Sequence, residues 1–151
     1  MKYENLLEES SHENLIVKEK NLSGYKGRIY KNRVAIRRNM TYTEKGCVLA
    51  EELGHYYTGY GDILDQSSVS NRKQELRGRI YAYNKLVGLM GIIDAYKNHC
   101  QSIYEAAKYL EVTEEFLLEA LAHYKSKYGK CVTLDNYTIY FEPCLCVLEM
   151  K

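Results

Sequence analysis

The chain has no tryptophan, one proline, two phenylalanines and no apolar run long enough to cross a bilayer. One proline and ten glycines leave little room for disordered linkers. No low-complexity segment and no internal repeat is present, which excludes solenoids and arrays. No N-terminal succession of basic, apolar and small residues marks a signal peptide, so a cytoplasmic protein is expected. Five cysteines, an odd number without framework spacing, exclude a disulfide scaffold and fit a reducing compartment. A net charge of +1 offers no bulk attraction for nucleic acid or membranes. What the chain does have is tyrosine, sixteen of them. Tyrosine packs its ring and leaves its hydroxyl wet, which suits core edges and contact surfaces. A length of 151 residues supports one domain with its own core.

Tyr3, Leu6 and Leu7 among acids predict a short N-terminal helix over Tyr3–Ser10. His12-Glu13 has no second histidine at zinc-motif spacing and reads as a surface turn. Leu15–Lys20 predicts a strand; Arg28–Lys31 and Val34–Arg38 predict a hairpin about Asn32-Arg33. These three segments are expected to form a small antiparallel sheet. A long helix is expected from Arg72 to about His99, with Leu76, Ile80, Tyr83 and Val87 as its core stripe and a kink or end near Gly91. Ser102 with Glu105 is a capping box, and Thr113 caps a further helix over Glu114–Lys125. The pair has helix-turn-helix proportions, but its second helix begins acidic where a DNA reader needs donors, so it reads as a packing element. Cys131–Leu134 and Tyr137–Phe141 predict a second hairpin, followed by a β segment over Cys144–Leu148. Cys131, Cys144, Cys146 and His123 match no common zinc-finger spacing and read as small apolar or packing residues.

The stretch most suited to chemistry is Cys47–His55. Thr41 or Thr43 can cap it as a helix, Glu44 places negative charge in its first turn, and Gly59 and Gly61 are expected to end it. Glu51 and His55, four residues apart, stack on one helical face, and Glu52 is rotated by roughly 100° from Glu51. This is the geometry of H-E-x-x-H zinc peptidases, with a carboxylate in the first ligand position. Oxygen and nitrogen donors both bind Zn²⁺. The extra carboxylate makes the ion less positive and loosens the preference for zinc over manganese or iron. The same letters also arise on ordinary solvated helices. Glu75, near the start of the next helix, is placed either to face back toward His55 as a third ligand or to form a surface salt bridge. Asp62 and Asp65 read as loop and capping residues.

Leu49–Tyr57, Asn71–Glu75, Tyr81-Ala82 and Lys85-Leu86 together resemble the ImmA/IrrE-type metallopeptidases of phages and integrative elements. Ile103–Ala107, Val112–Phe116 and Ile139–Pro143 are similar to the phage branch of that family. Gly78 holds the small position between the glutamate and the aromatic-alanine pair of the family pattern. The resemblance implies an α+β, zincin-like (minimal gluzincin) fold, with a small antiparallel sheet packed on metal-site helices, C-terminal helices and a β-hairpin. It implies a peptidase-like core over 1–100, with residues 101–151 packed on it as one compact unit. It puts the first metal ligand on Glu51, the catalytic glutamate on Glu52, the second ligand on His55 and the third on Glu75. The implied cofactor is a divalent metal, Zn²⁺ first, with Mn²⁺ or Fe²⁺ as alternatives. The implied substrate is a helix-turn-helix repressor; the near-neutral charge and the acidic start of Glu114–Lys125 argue against direct DNA binding, and the lack of a long apolar run against a membrane partner. The departure from the family pattern is Glu51. Tyr56, Tyr57 and Tyr60 are candidates for the second oxyanion donor, and nothing in the sequence selects one. A non-catalytic module that grips the same partner is the competing expectation.

Overall fold

In a computed structural model, residues 1–58 and 69–150 are described. Their order is α1 (Lys2–His12), β1 (Ile16–Lys20), β2 (Gly27–Tyr30), β3 (Arg33–Arg37), α2 (Tyr42–Tyr57), α3 (Val69–Leu86), α4 (Gly88–Lys97), α5 (Ile103–Leu110), α6 (Glu114–Tyr128), β4 (Cys131–Leu134), β5 (Tyr137–Tyr140) and β6 (Cys146–Glu149). The α+β class expected from the sequence is the one observed. No helix among the described residues is long and apolar enough to cross a membrane.

The first compact unit covers Met1–Leu86. Its sheet has the order β1-β3-β2. β2 and β3 form the expected antiparallel hairpin, turning at Lys31 with φ 53°. β1 joins β3 in parallel, so this sheet is mixed and not wholly antiparallel. The short turn between β2 and β3 forces those two to be antiparallel neighbours. The longer link over residues 21–26 carries the chain past β3 and leaves β1 on the far edge. Val34 and Ile36 of β3 point to the buried side, where α2 packs. Strand alternation sends Arg33, Ala35 and Arg37 to the opposite face.

α2 begins at Thr41, whose hydroxyl accepts the Glu44 N–H at 3.1 Å; of the two expected caps, this is the one used. The helix ends at Tyr57, before the glycines expected to stop it, which lie outside the described residues. Thr58 closes it, its hydroxyl donating to the Gly54 carbonyl at 2.7 Å. Leu49, Ala50 and Leu53 are fully buried between the sheet, α1 and α3. The expected core stripe is met in part: Tyr83, and Val87 just beyond α3, are buried, and Ile80 is half-buried. Leu76 is 52% exposed, and the buried positions are Gly78, Ala82, Tyr83 and Leu86. The face that meets α2 is set by Gly78 and Ala82, because only small residues allow the approach described below.

The second unit covers Val87–Lys151. The long helix expected through His99 breaks at Val87, and the residue that permits the break is Gly88 (φ +66°), not Gly91. Gly91 lies inside α4 against the tip of Leu110. The two compact units thus adjoin in sequence at Leu86–Val87. Ser102 and Thr113 cap α5 and α6 as expected, accepting the N–H groups of Glu105 and Phe116. Glu111 takes the left-handed conformation between them. Phe116, Leu117, Ala120 and Tyr124 of α6 join Ile93 and Leu110 in burial. β4, β5 and β6 form an antiparallel sheet with Ile139 fully buried at its centre.

Candidate functional site

Two glycines set how closely α2 and α3 approach. A Cβ added at Gly54 would fall inside 3.0 Å of the Gly78 carbonyl oxygen. A Cβ added at Gly78 would fall inside 3.0 Å of His55 Nδ1 and Cε1. An isolated glycine inside a helix costs about 1 kcal/mol relative to alanine, so each needs a packing reason. The reason here is backbone-to-backbone approach beside the His55 ring. A third glycine acts from the sheet. A Cβ at Gly27 would meet Val48 Cγ1 at 2.5 Å and Glu52 Oε1 at 3.2 Å, so its absence makes room for that carboxylate.

The approach brings Glu75 of α3 onto His55 of α2, with His55 Nε2 and Glu75 Oε2 3.2 Å apart. Glu75 also meets Arg79, one turn further along α3, at 3.3 Å. His55 is 4% exposed, and its Nδ1 is buried with no hydrogen-bond partner among the described residues. Glu52 is 8% exposed on the same helix. Glu51, half-buried, lies one turn before His55.

The electrostatics follow from this burial. Desolvation pushes the Glu52 carboxyl up to about 7, with the His55 charge opposing and Glu51 and Glu75 adding to the rise. Burial alone would depress His55, but the Glu75 hydrogen bond and the charges of Glu52, Glu75 and Glu51 outweigh it and hold its pKa above the ordinary value. Glu75 is held below the usual carboxylate range, first by the His55 hydrogen bond and then by Arg79, against its own burial. A buried carboxyl raised to near neutrality beside the His55–Glu75 pair is a proton-handling arrangement.

Whether these residues fit a metal depends on the donors. Two ligands of one tetrahedral ion at the usual 2.0–2.1 Å bond length stand about 3.3 Å apart, which matches the His55–Glu75 separation. The cradle that Gly78 leaves beside the imidazole keeps that ring in place. Among the described residues, no group of three or more His, Cys, Asp or Glu side chains converges in position to hold an ion. His55 and Glu75 therefore fit as a ligand pair, and a third donor has to come from beside them. Glu51 is the carboxylate on the adjoining turn.

Tyr57 packs against Tyr56 and Tyr81, and burial with the nearby Glu13 and Glu9 charges pushes it up to about 12. Tyr60, Asp62 and Asp65 lie outside the described residues. Cys131, Cys144 and Cys146 are exposed, not buried small apolar residues as expected. Cys131 and Cys146 both stand opposite Tyr140, on either side of β5. The sequence reading missed Gly27 and Gly54 as parts of the site. The available signal was a glycine inside the motif helix. It also missed Lys45, which is 7% exposed and pairs with Glu19 at 2.8 Å beneath the sheet.

A helix bearing Glu-Glu-x-x-His, met by a later helix bearing a glutamate and backed by a small sheet, defines a metallopeptidase-like fold. The chain belongs to the M78 peptidase family, whose IrrE N-terminal-like domain model matches residues 9–122. No curated protein and no solved structure matches the chain significantly.

Proposed function

We propose that the chain is a metal-dependent endopeptidase in which Glu51, His55 and Glu75 hold a divalent ion and Glu52 is the general base. The observation that carries this reading is the 3.2 Å approach of His55 to Glu75, residues twenty apart in sequence, across two helices locked at glycines. When bound, the metal would supply Lewis acidity toward the water and the peptide carbonyl. Glu52 takes the proton from the attacking water and returns it to the leaving amine. Burial of the Glu52 carboxyl, pushed up to about 7 in the metal-free chain, makes it readier to take and hold a proton than an exposed carboxylate. In the metal-free chain Glu75 holds the imidazole at Nε2, and Arg79 fixes Glu75 from its other oxygen, so both donors stand ready on the side where the ion would bind. The donor set of two carboxylates and one imidazole suits Zn²⁺ and also admits Mn²⁺ or Fe²⁺. A helix-turn-helix repressor of a phage or integrative element is the substrate the family likeness suggests.

The carboxylate at position 51 favours one alternative. It lowers the positive charge left on the ion and so weakens water activation. In that reading the chain grips its protein partner without cutting it.

Elemental analysis of purified protein after zinc reloading tests the first reading, with Glu51→Ala, His55→Ala and Glu75→Ala alongside. The expected result is about one ion per chain, lost in all three variants and kept in Glu52→Gln. Repressor cleavage, followed by mass spectrometry, should then disappear in Glu52→Gln. Wild-type protein that takes up no metal would overturn the peptidase reading and leave the binding module.

A further inference from the structure

The net charge of +1 conceals a segregated distribution. Residues 16–38 hold eight of the chain's 21 basic residues and one of its 20 acids, a net +7 against −6 for everything else. The single acid, Glu19, points to the inner side of the sheet, where it accepts from Tyr3 Oη and Lys45 Nζ, both at 2.8 Å. Strand alternation then places Lys18, Lys20, Arg28, Arg33 and Arg37 on the outer face of the β1-β3-β2 sheet, with no acid among the strand residues there. Lys20 stands directly opposite Arg37 in the ladder, a like-charge pairing that costs stability. The outer face is not smooth. It encloses a hollow of about 320 Å³ lined by Lys18, Lys20, Arg28 and Arg33, with Tyr30 and Ile16 among its walls. Tyr30 is 59% exposed.

We propose that this sheet face binds single-stranded nucleic acid, with phosphates on Lys18, Lys20 and Arg33 and a base against the Tyr30 ring in the hollow. Charge complementarity selects an anionic partner, and the hollow with its aromatic wall selects a nucleic acid over an acidic polypeptide. Lys18 and Lys20 project to the same side about 6.6 Å apart, a regular cationic row suited to an extended phosphodiester. An exposed ring beside such a row is a stacking platform that accepts any base. The helices of this unit pack on the other side of the sheet, so the face is separate from the His55–Glu75 site. The duplex-reading role rejected for residues 102–125 is a different matter, because that rejection concerned a helix with an acidic start.

The test is fluorescence anisotropy of a labelled twelve-nucleotide oligothymidine with the full chain, at 50 to 300 mM salt. With three phosphate contacts, log K should fall against log salt with a slope of about −2. Lys18→Glu/Lys20→Glu should weaken binding at least tenfold and flatten the slope by about 1.4. Tyr30→Ala should weaken it about 5- to 150-fold, the cost of one lost base stack. All three side chains are exposed, so thermal melts of the variants should match wild type. Oligouridine in parallel separates RNA from DNA as the source of the phosphodiester, and either result fits. The proposal is overturned by no binding at 50 mM salt, or by binding indifferent to these substitutions. It is also overturned by tighter binding of a same-length duplex independent of Tyr30, or by preference for a polyglutamate peptide on the same residues.

Discussion

Gly78→Ala is the perturbation that most directly tests how the two site helices are held. The new methyl would lie inside 3.0 Å of His55 Nδ1 and Cε1, whereas ordinary carbon contacts begin at about 3.5 Å. The imidazole is 4% exposed and has nowhere to rotate, so α3 must move away from α2 by at least about 0.5–1 Å. That displacement takes the 3.2 Å contact between His55 and Glu75 to or beyond the hydrogen-bond limit. Overpacking of this kind costs about 1–3 kcal/mol, partly offset by the gain of about 1 kcal/mol from alanine in a helix. The thermal midpoint should therefore fall by up to roughly 10 °C. Gly91→Ala is the control. Its methyl would meet only the terminal Cδ2 methyl of Leu110 at 3.2 Å, so that variant should melt within a few degrees of wild type. Circular-dichroism melts with metal stoichiometry on the same samples read both effects. Gly78→Ala that melts and loads metal like wild type would refute the claim that glycine contact positions Glu75.

Further expectations concern charge and backbone. Glu52 and His55 both have folded pKa values raised above their unfolded ones, so each stabilises the metal-free fold at low pH and loses that contribution as pH rises through the folded value. For Glu52 the window runs from 4.5 to about 7; metal-free protein should melt lower at pH 8 than at pH 5.5, and Glu52→Gln should reduce the difference. A midpoint that rises over that range would contradict the buried, near-neutral carboxyl. Glu19→Ala strands the buried Lys45 ammonium and should cost about 2–3 kcal/mol in urea unfolding, against about 1 for Tyr3→Phe, which removes one neutral donor. Equal costs would mean that Lys45 finds another partner. Gly88→Ala places a side chain at φ +66° and should cost about 1 kcal/mol; no change would show that the break before α4 relaxes freely.

The contrast between α2 and α3 shows how far local pattern reaches. On α2 the Thr41 cap, the apolar side around Leu49 and Leu53, and the pairing of Glu51 with His55 are all local, fixed within one or two turns. They are legible without a partner. On α3 the same periodicity argument chose Leu76, which is 52% exposed, because periodicity cannot say which side of a helix finds a neighbour. That side was decided by Gly78 and Ala82, the residues small enough for α2 to approach.

The first sheet divides in the same way. The β2–β3 hairpin was legible because its turn is local. The parallel addition of β1 depended on which edge remained after that hairpin formed.

The sequence by itself determined the composition class, most element positions, the caps at Thr41, Ser102 and Thr113, and the residue types at Glu51, Glu52, His55 and Glu75. The tertiary structure alone decided that His55 and Glu75 meet and that Glu52 is buried enough to hold a proton near neutrality. It alone placed five of the eight cations of a net +7 segment together on one face of a sheet. Desolvation and proximity belong to pairs of distant residues, and a linear pattern carries neither.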